Sequence, residues 1–104
     1  MLRLQAYTPP LEQVDVFSFG VVLWEIWMLG ATPYQEVSSM AEIFQGVMDG
    51  VLRPRIPEGC DPAWEALMVA CWAGDAVERP SFASVAERLE EIMHLGVVVN
   101  PLFL

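Results

Sequence analysis

The chain has 104 residues, of which 55% are hydrophobic and four are tryptophan, so its size and composition suit at most one small folded domain. Five arginines and no lysine oppose fourteen acidic residues, which gives a net charge of −9. A charge of this sign disfavours binding to nucleic acid and to anionic membrane surfaces. Two cysteines, Cys60 and Cys71, favour free thiols in a reducing compartment, and we expect a cytoplasmic location.

The first half of the chain contains the longest apolar run. Residues 1–11 include two adjacent prolines and show no periodicity, which predicts an irregular segment. Asp15 is predicted to cap a central helix that ends near Gly30 and has the sequence VFSFGVVLWEIWML. Gly20 lies in the interior of this helix, where glycine is less stable than alanine. Its presence therefore indicates that another element packs closely against the helix at this point.

This central helix is apolar on every side. The stretch from Val16 to Ala31 covers about 16 residues and includes Glu25, whereas about 20 apolar residues are needed to span a bilayer. We therefore expect a helix buried at the centre of a soluble protein, with no membrane partner.

A short amphipathic helix and an extended segment are predicted next. Ser39 and Glu42 have the spacing of a capping box, and Gly50 supplies the stop. The apolar positions at helical spacing are Met40, Ile43, Phe44, Val47 and Met48. The following segment, LRPRIPEGC, contains two prolines that favour an extended path.

Two further helices complete the prediction. Asp61 is expected to cap the third helix, with Pro62 at its first position and Gly74 at its end. Its apolar stripe consists of Trp64, Leu67, Met68, Cys71 and Trp72. Ser81 opens the last helix and Gly96 ends it. Its inward positions are Phe82, Val85, Ala86, Leu89 and Met93, and its outward positions are Glu87, Glu90 and Glu91.

Four helices without a confident strand predict an all-α fold, and three short helices cannot enclose an apolar central one, so a partner is implied.

His94, the only histidine, is expected at the surface near a helix end. Two cysteines and one histidine do not supply the four ligands of structural zinc. No glycine-rich phosphate loop occurs in the sequence. The residues alone therefore indicate no catalytic site.

The linear order of four segments carries a family resemblance: DVFSFGVVLWEIWMLGATPY, VMDG, RPRIPEGCDPAW and CWAGDAVERPSF. In this order they resemble the lower half of the large lobe of a protein kinase domain, from helix F to helix I. The resemblance covers residues 12–93 and leaves a divergent tail at 94–104. The forms DVFSFGVVLWEI, MDG and IPEGCDP are most similar to the plant Raf-like serine/threonine kinases.

The resemblance implies structural roles for five residues: Asp15, Gly20, Trp24, Trp72 and Arg79. Asp15 matches the family residue whose buried carboxylate holds the backbone of the catalytic loop, although a helix cap also explains it here. Trp24 and Trp72 match packing positions. Arg79 matches an arginine that pairs with the glutamate of an Ala-Pro-Glu motif, which we expect upstream of this chain. Without that glutamate, Arg79 is expected either to turn to solvent, the preferred alternative, or to pair with Glu12.

The same resemblance implies an incomplete kinase. A working kinase needs a glycine-rich loop, a strand lysine, a helix-C glutamate, a catalytic-loop Asp and Asn, and a metal-binding Asp before Phe-Gly. None of these is present, so no catalytic, cofactor-binding or metal residue is predicted; ATP and Mg belong to the complete family domain. The two ends lack the neighbours expected for the family, which suggests a truncated gene model, an alternative product or a diverged remnant.

Two functions follow as expectations. The first is a Raf-like kinase fragment, from a family that phosphorylates Ser/Thr and in some members Tyr in signalling, which is inactive alone and pairs with the missing kinase half. The second is a protein-interaction module that docks a partner protein through Ile43, Phe44 and Val47. In isolation, the chain is expected to be helical but loosely packed or self-associating.

Overall fold

The computed structural model describes residues 11–94, and that part of the chain is all-helical, as predicted. The elements are α1 (Leu11–Trp27), α2 (Met40–Met48), α3 (Pro62–Cys71), a single 3₁₀ turn (Ala76–Glu78) and α4 (Phe82–His94). Predictions for residues 1–10, for the helix stop at Gly96 and for the apolar tail lie outside the described residues.

The start of α1 differs from the prediction. The helix begins at Leu11, so Asp15 lies in the second turn and is exposed, and its assignment as the cap was wrong. Leu11, which the prediction assigned to the irregular segment 1–11, is helical. A tertiary contact helps to hold the first turn: the Glu12 carboxylate accepts the backbone N–H of Phe82 at 3.0 Å. A contact between positions so far apart in the chain is invisible to local pattern analysis.

The other predicted helix boundaries rest on local capping, and most are confirmed. Beyond α1, Gly30 has φ +85° and donates its N–H to the carbonyl of Glu25 at 2.8 Å. The Ser39 hydroxyl accepts the N–H of Glu42 at 3.3 Å at the start of α2. Gly50, with φ +76°, follows the end of that helix. Left-handed glycines of this kind close a helix without the steric penalty of a Cβ.

The third helix begins as predicted and ends early. The Asp61 carboxylate accepts the N–H groups of Ala63 and Trp64, both at 3.1 Å, and Pro62 occupies the first position. The helix ends at Cys71 rather than near Gly74. Side chains from elsewhere bind the carbonyls that follow Cys71, as described below, and they replace the continued helical hydrogen bonds.

The core forms where α1 crosses α3. A Cβ on Gly20 would lie 2.8 Å from Cys71 Cβ and 3.2 Å from the carbonyl oxygen of Met68, so the two helices meet at the glycine. The close neighbour expected at Gly20 is therefore present. Nearby, the indole of Trp64 donates to the carbonyl of Leu23 at 3.1 Å. The largest fully buried side chains are Leu23, Leu67, Met68, Val16, Val85 and Cys71.

The inward face of α4 was predicted only in part. Val85 is 2% exposed and Leu89 packs against the core, as expected, whereas Met93 is 71% exposed and Ala86 is also exposed. Ile92, which the prediction omitted, is 6% exposed. At about 100° per residue, positions 85, 89 and 92 fall within one narrow arc. Met93 and Ala86 lie beside that arc and face solvent.

Two arginines, Arg53 and Arg79, share one aromatic neighbour. Their guanidinium carbons lie 4.8 Å and 4.9 Å from the centroid of the Phe17 ring in α1. We call these three residues the arginine cluster. A cation over an aromatic face contributes about 0.5–2 kcal/mol, more as the site is desolvated. The cluster therefore adds an electrostatic connection to the apolar contacts between α1 and α3.

Both guanidinium groups also bind backbone carbonyls just beyond α3. Arg53 Nε donates to the carbonyl of Trp72 at 2.9 Å, and Arg79 Nε donates to that of Ala73 at 2.8 Å. Arg79 also donates to the carbonyl of Gly74 at 3.4 Å. The last carbonyls of a helix lack intrahelical donors and carry a partial negative charge, so cations are stabilising there.

The preferred expectation for Arg79 was therefore wrong, because the side chain is half-buried and does not turn away into solvent. A further hydrogen bond runs from Arg79 Nη1 to the carbonyl of Gln13 at 3.0 Å. The alternative partner, Glu12, binds the N–H of Phe82. The carbonyls of α1 and of the residues after α3 thus hold the Arg79 guanidinium in place.

Gly20→Val should lower the free energy of unfolding by about 2 kcal/mol, because overfilling a packed site typically costs about 1–3 kcal/mol. Any Cβ at position 20 would lie 2.8 Å from Cys71 Cβ, which leaves no room for a branched side chain. Urea unfolding followed by tryptophan fluorescence measures the loss. Ser18→Val, at an exposed position of the same helix, is the matched control and should change stability little. Equal effects of the two substitutions would contradict the close approach.

Arg79→Met should lower the free energy of unfolding by more than about 2 kcal/mol, because it leaves two half-buried carbonyls, those of Ala73 and Gln13, without this donor. Arg55→Met removes the same charge from an exposed side chain and should cost no more than about 0.5 kcal/mol. Urea midpoints of both variants provide the comparison. A loss in Arg79→Met no larger than that in Arg55→Met would show that the arginine cluster is not stabilising.

Candidate functional surfaces

The first candidate surface is one side of α1. Its exposed residues fall at helical spacing and form a stripe, which we call the α1 stripe: Leu11, Val14, Asp15, Ser18, Val22 and Ile26. Leu11 is 75% exposed, and Val22 and Ile26 are 41% and 46% exposed. The central helix of the described residues therefore presents apolar side chains to solvent along its length, although its opposite side is buried.

Asp15 is the one charged group within the α1 stripe. It lies one helical turn from Leu11 and from Ser18, with its side chain at the surface. Among residues 11–94, no group donates a hydrogen bond to its carboxylate. A carboxylate surrounded by apolar side chains is chemically suited to accept backbone N–H groups from a segment that packs over the stripe, since such charge-assisted hydrogen bonds are strong.

The predicted structural residues Gly20, Trp24 and Trp72 lie in the core and do not form a reactive site. Trp24 is 5% exposed and its indole donates to the carbonyl of Arg55 at 2.7 Å, which anchors the extended segment to α1. Trp72 is 4% exposed, and its carbonyl accepts from Arg53. Each of these residues joins two elements, so their role in this chain is architectural.

Two members of the arginine cluster, Arg53 and Phe17, were not predicted from the sequence. Arg53 and Arg55 both adjoin Pro54, yet Arg55 is exposed, so the local sequence does not distinguish the arginine that binds carbonyls. Phe17 is one of many apolar residues in the central helix, and no pattern marks it.

The second candidate surface is α2, in which no residue is fully buried. The predicted docking residues separate into two kinds. Ile43 and Val47 are half-buried, whereas Phe44 is 69% exposed. Met40 and Met48, on either side of Phe44, are 79% and 70% exposed. The exposed apolar surface of α2 is therefore centred on Phe44 and the two methionines.

The cysteines are free and buried, as the composition suggests, and neither is suited to nucleophilic chemistry. Burial raises the pKa of the Cys71 thiol to about 11. Burial, reinforced by the carboxylates of Glu65 and Asp61, raises the pKa of Cys60 to about 11 as well. Since the thiolate is the reactive form, both side chains are inert at neutral pH.

The polar residues at the end of α4 lie at the surface. His94 is exposed at the end of α4, where Glu90 and Glu91 are exposed too. Within residues 11–94, no group of three or more His, Cys, Asp or Glu side chains is placed to hold a metal ion. In the same range, every helix is too short or too polar to cross a lipid bilayer.

Comparison with known proteins identifies the family. The protein tyrosine and serine/threonine kinase family is matched over residues 5–89. Vascular endothelial growth factor receptor 3 of Mus musculus is 45% identical over 84 residues, which are 81% of this chain and 6% of the receptor. Tyrosine kinase receptor Cad96Ca of Drosophila melanogaster is 40% identical over 80 residues, 77% of this chain and 10% of that protein.

A probable serine/threonine-protein kinase of Dictyostelium discoideum is 37% identical over 89 residues, 86% of this chain and 6% of the kinase. The chain thus spans between 6% and 10% of the length of these three relatives. They include both tyrosine and serine/threonine kinases, so they support the family and not the plant Raf-like subfamily. With its all-helical fold and a family match over most of its length, the chain belongs to the protein tyrosine and serine/threonine kinase family.

Proposed function

We propose that this chain forms the helical platform of a kinase large lobe and transfers no phosphoryl group by itself. The observation that supports this role is the α1 stripe, an exposed and mainly apolar face on the central helix. A complete domain places its central helix inside the lobe. The natural occupant of the stripe is therefore the catalytic part of a kinase domain.

Energetics favour covering the stripe. Fully burying a Val, Leu or Ile side chain contributes about 1.5–3 kcal/mol. Leu11, Val14, Val22 and Ile26 are between 41% and 75% exposed, so covering them adds a part of that contribution at each position. The total is several kcal/mol, which is comparable to the net stability of a small domain. A partner segment on this face would stabilise the whole platform.

Asp15 gives the stripe its specificity. Its exposed carboxylate lies between apolar side chains, where a covering segment would remove it from water. A buried carboxylate is costly unless hydrogen-bond donors compensate it. We infer that the covering segment presents backbone N–H groups to Asp15, which is the role that the family resemblance implies for this residue.

The residues of this chain do not fit ATP and Mg, the cofactors of the complete family domain. The sequence contains no lysine and no glycine-rich loop to hold phosphates. No acidic cluster within residues 11–94 is arranged for a metal ion.

We assign ATP-dependent phosphorylation of Ser, Thr or Tyr, and a role in signalling, to a complete domain that includes such a platform. Free thiols at Cys60 and Cys71 favour the cytoplasm as its location.

A second candidate function is supported by α2. A helix without a fully buried residue and with three large apolar side chains at the surface suits a protein-docking element. This function is compatible with the first, because α2 and the α1 stripe use different residues. It corresponds to the interaction module that the sequence predicts.

Replacing Val22 and Ile26 together by Gln should reduce binding of a hydrophobic dye and lower self-association. The free energy of unfolding should differ from that of the unsubstituted chain by no more than about 0.5 kcal/mol. The reason is that both side chains face solvent rather than the core. Val69→Gln on α3, where the valine is 43% exposed, is the control for an isolated surface residue. Analytical ultracentrifugation and urea unfolding provide the readouts. A loss of more than about 2 kcal/mol would mean that the stripe belongs to the core.

The 104-residue chain should show no saturable binding of Mg-ATP up to millimolar concentration, because phosphate ligands are absent and the net charge of −9 repels an anionic nucleotide. Isothermal titration calorimetry is the measurement. Titration with Mg alone controls for weak binding to surface carboxylates. Saturation at micromolar nucleotide would contradict the assignment of this chain as a platform without an active site.

A further inference from the structure

Four residues of the α1 stripe are spaced symmetrically along the helix. Leu11, Asp15, Ser18 and Val22 follow one another at intervals of four, three and four positions, and all four are exposed. At about 100° per residue, they lie within about 60° of arc on one side of α1. We call these four residues the α1 seam. Its spacing is the same when it is read in either chain direction.

The chemistry of the α1 seam is complementary under the same reversal. When two copies of α1 run antiparallel, Leu11 of one copy can lie opposite Val22 of the other, and Asp15 then lies opposite Ser18. The first pair joins two apolar side chains, and the second joins a hydrogen-bond acceptor to a hydroxyl donor. A two-fold symmetric contact between identical chains requires a surface that matches itself in this way.

The members of the α1 seam are open to a partner. Within residues 11–94, neither the Asp15 carboxylate nor the Ser18 hydroxyl forms a hydrogen bond. Ser18 is also small, so two packed helices can approach closely at the middle of the seam. Leu11 is 75% exposed and Val22 is 41% exposed, which leaves apolar surface to bury at both ends. The seam therefore offers polar groups to pair at its centre and apolar groups to cover at its ends.

We propose that the α1 stripe binds a second copy of this chain through the α1 seam, as an antiparallel helix pair with its two-fold axis between Asp15 and Ser18. The inference rests on the proposed function, because it requires the stripe to be a binding face, and it names the occupant when no catalytic part is present. Two platforms then cover each other's apolar face, and a catalytic part must displace one of them. Dimerisation and assembly of a complete lobe are mutually exclusive.

Charge and size limit the strength of this dimer. Each copy carries a net charge of −9, although Asp15 is the only charged residue in the stripe. Salt screens this repulsion, so the affinity should rise with ionic strength. The contact from Leu11 to Val22 spans about 16 Å at about 1.5 Å per residue. A contact this short is smaller than a standard interface, so we expect a dissociation constant of about 10 µM or higher.

Asp15 determines which occupant the stripe prefers. In the dimer, the two Asp15 carboxylates are offset by only about 4.5 Å along the helix axis, and one hydroxyl compensates each of them in part. Asp15→Asn removes the repulsion and keeps an acceptor for the Ser18 hydroxyl. This substitution should tighten the dimer about threefold or more. The native carboxylate therefore favours a partner that presents several backbone N–H groups over a second copy.

Exchange of the apolar pair tests the register in the full 104-residue chain. Sedimentation velocity measures the dissociation constant. Leu11→Glu and Val22→Lys should each weaken self-association at least about tenfold, because each places two charges in an apolar contact. An equimolar mixture of the two variants should restore association to within about threefold of the original chain, because the new glutamate lies opposite the new lysine. A parallel pair sets neither charge opposite the other and predicts no rescue.

Controls locate the contact. The native chain has no lysine, so a dye on the α-amino group of Leu11→Glu labels one variant of the mixture at a single amine. Val69→Lys, at a residue 43% exposed on α3, replaces Val22→Lys in the control mixture and should give no rescue. Phe44→Ser, on α2, should leave the dimer unchanged. Circular dichroism and urea midpoints check that each variant is folded.

Several results would overturn the proposal. A chain that stays monomeric up to about 1 mM has no such dimer. Absence of rescue, or equal rescue by Val69→Lys, rejects the antiparallel register. Weakening by Phe44→Ser as large as that by Leu11→Glu assigns the contact to α2, and weakening by Asp15→Asn contradicts the predicted repulsion. These results leave the platform role intact as long as the stripe binds dye. A large loss of stability in the Val22 and Ile26 variant would instead reject the platform.

Discussion

Two positive charges held beside one aromatic ring connect three parts of the fold. Arg53 and Arg79 approach Phe17 and bind the carbonyls that follow α3. A helix C-terminus carries partial negative charge and unpaired acceptors, so a half-buried guanidinium there finds compensation for its lost hydration. The two side chains also reach the carbonyls of Gln13 and Val47. Through these bonds, α1, α2 and the end of α3 share one electrostatic centre.

Local chemistry explains what the sequence could predict about the fold. The caps at Ser39 and Asp61 and the left-handed glycines at positions 30 and 50 each act on a helix end only a few residues away, so α2, the start of α3 and the stop after α1 were placed correctly. The hydrogen bond from the N–H of Phe82 to the Glu12 carboxylate joins the first turns of α4 and α1, which are far apart in the chain, and local patterns do not predict it. Ile92 is buried instead of Met93 because of the rotation of α4 about its own axis, and apolar composition alone does not predict that rotation.

The functional conclusions divide in the same way. An ordered set of motifs was sufficient to identify the kinase family, and the family match agrees. Individual roles were harder, because the residues singled out by the resemblance are mostly buried scaffolding. The surfaces with binding potential are instead defined by exposure, at Val22 and Ile26 on α1 and at Phe44 on α2. Exposure is determined by the folded structure, and the sequence alone does not show whether an apolar residue lies in the core or at the surface.

The contact at Gly20 has a consequence beyond stability. Because a Cβ at this position would lie 2.8 Å from Cys71 Cβ, α1 can lie this close to α3 only when Gly20 faces α3. This requirement fixes the rotation of α1 about its own axis. It therefore also fixes the direction in which Asp15 and the α1 stripe face on the opposite side of the helix.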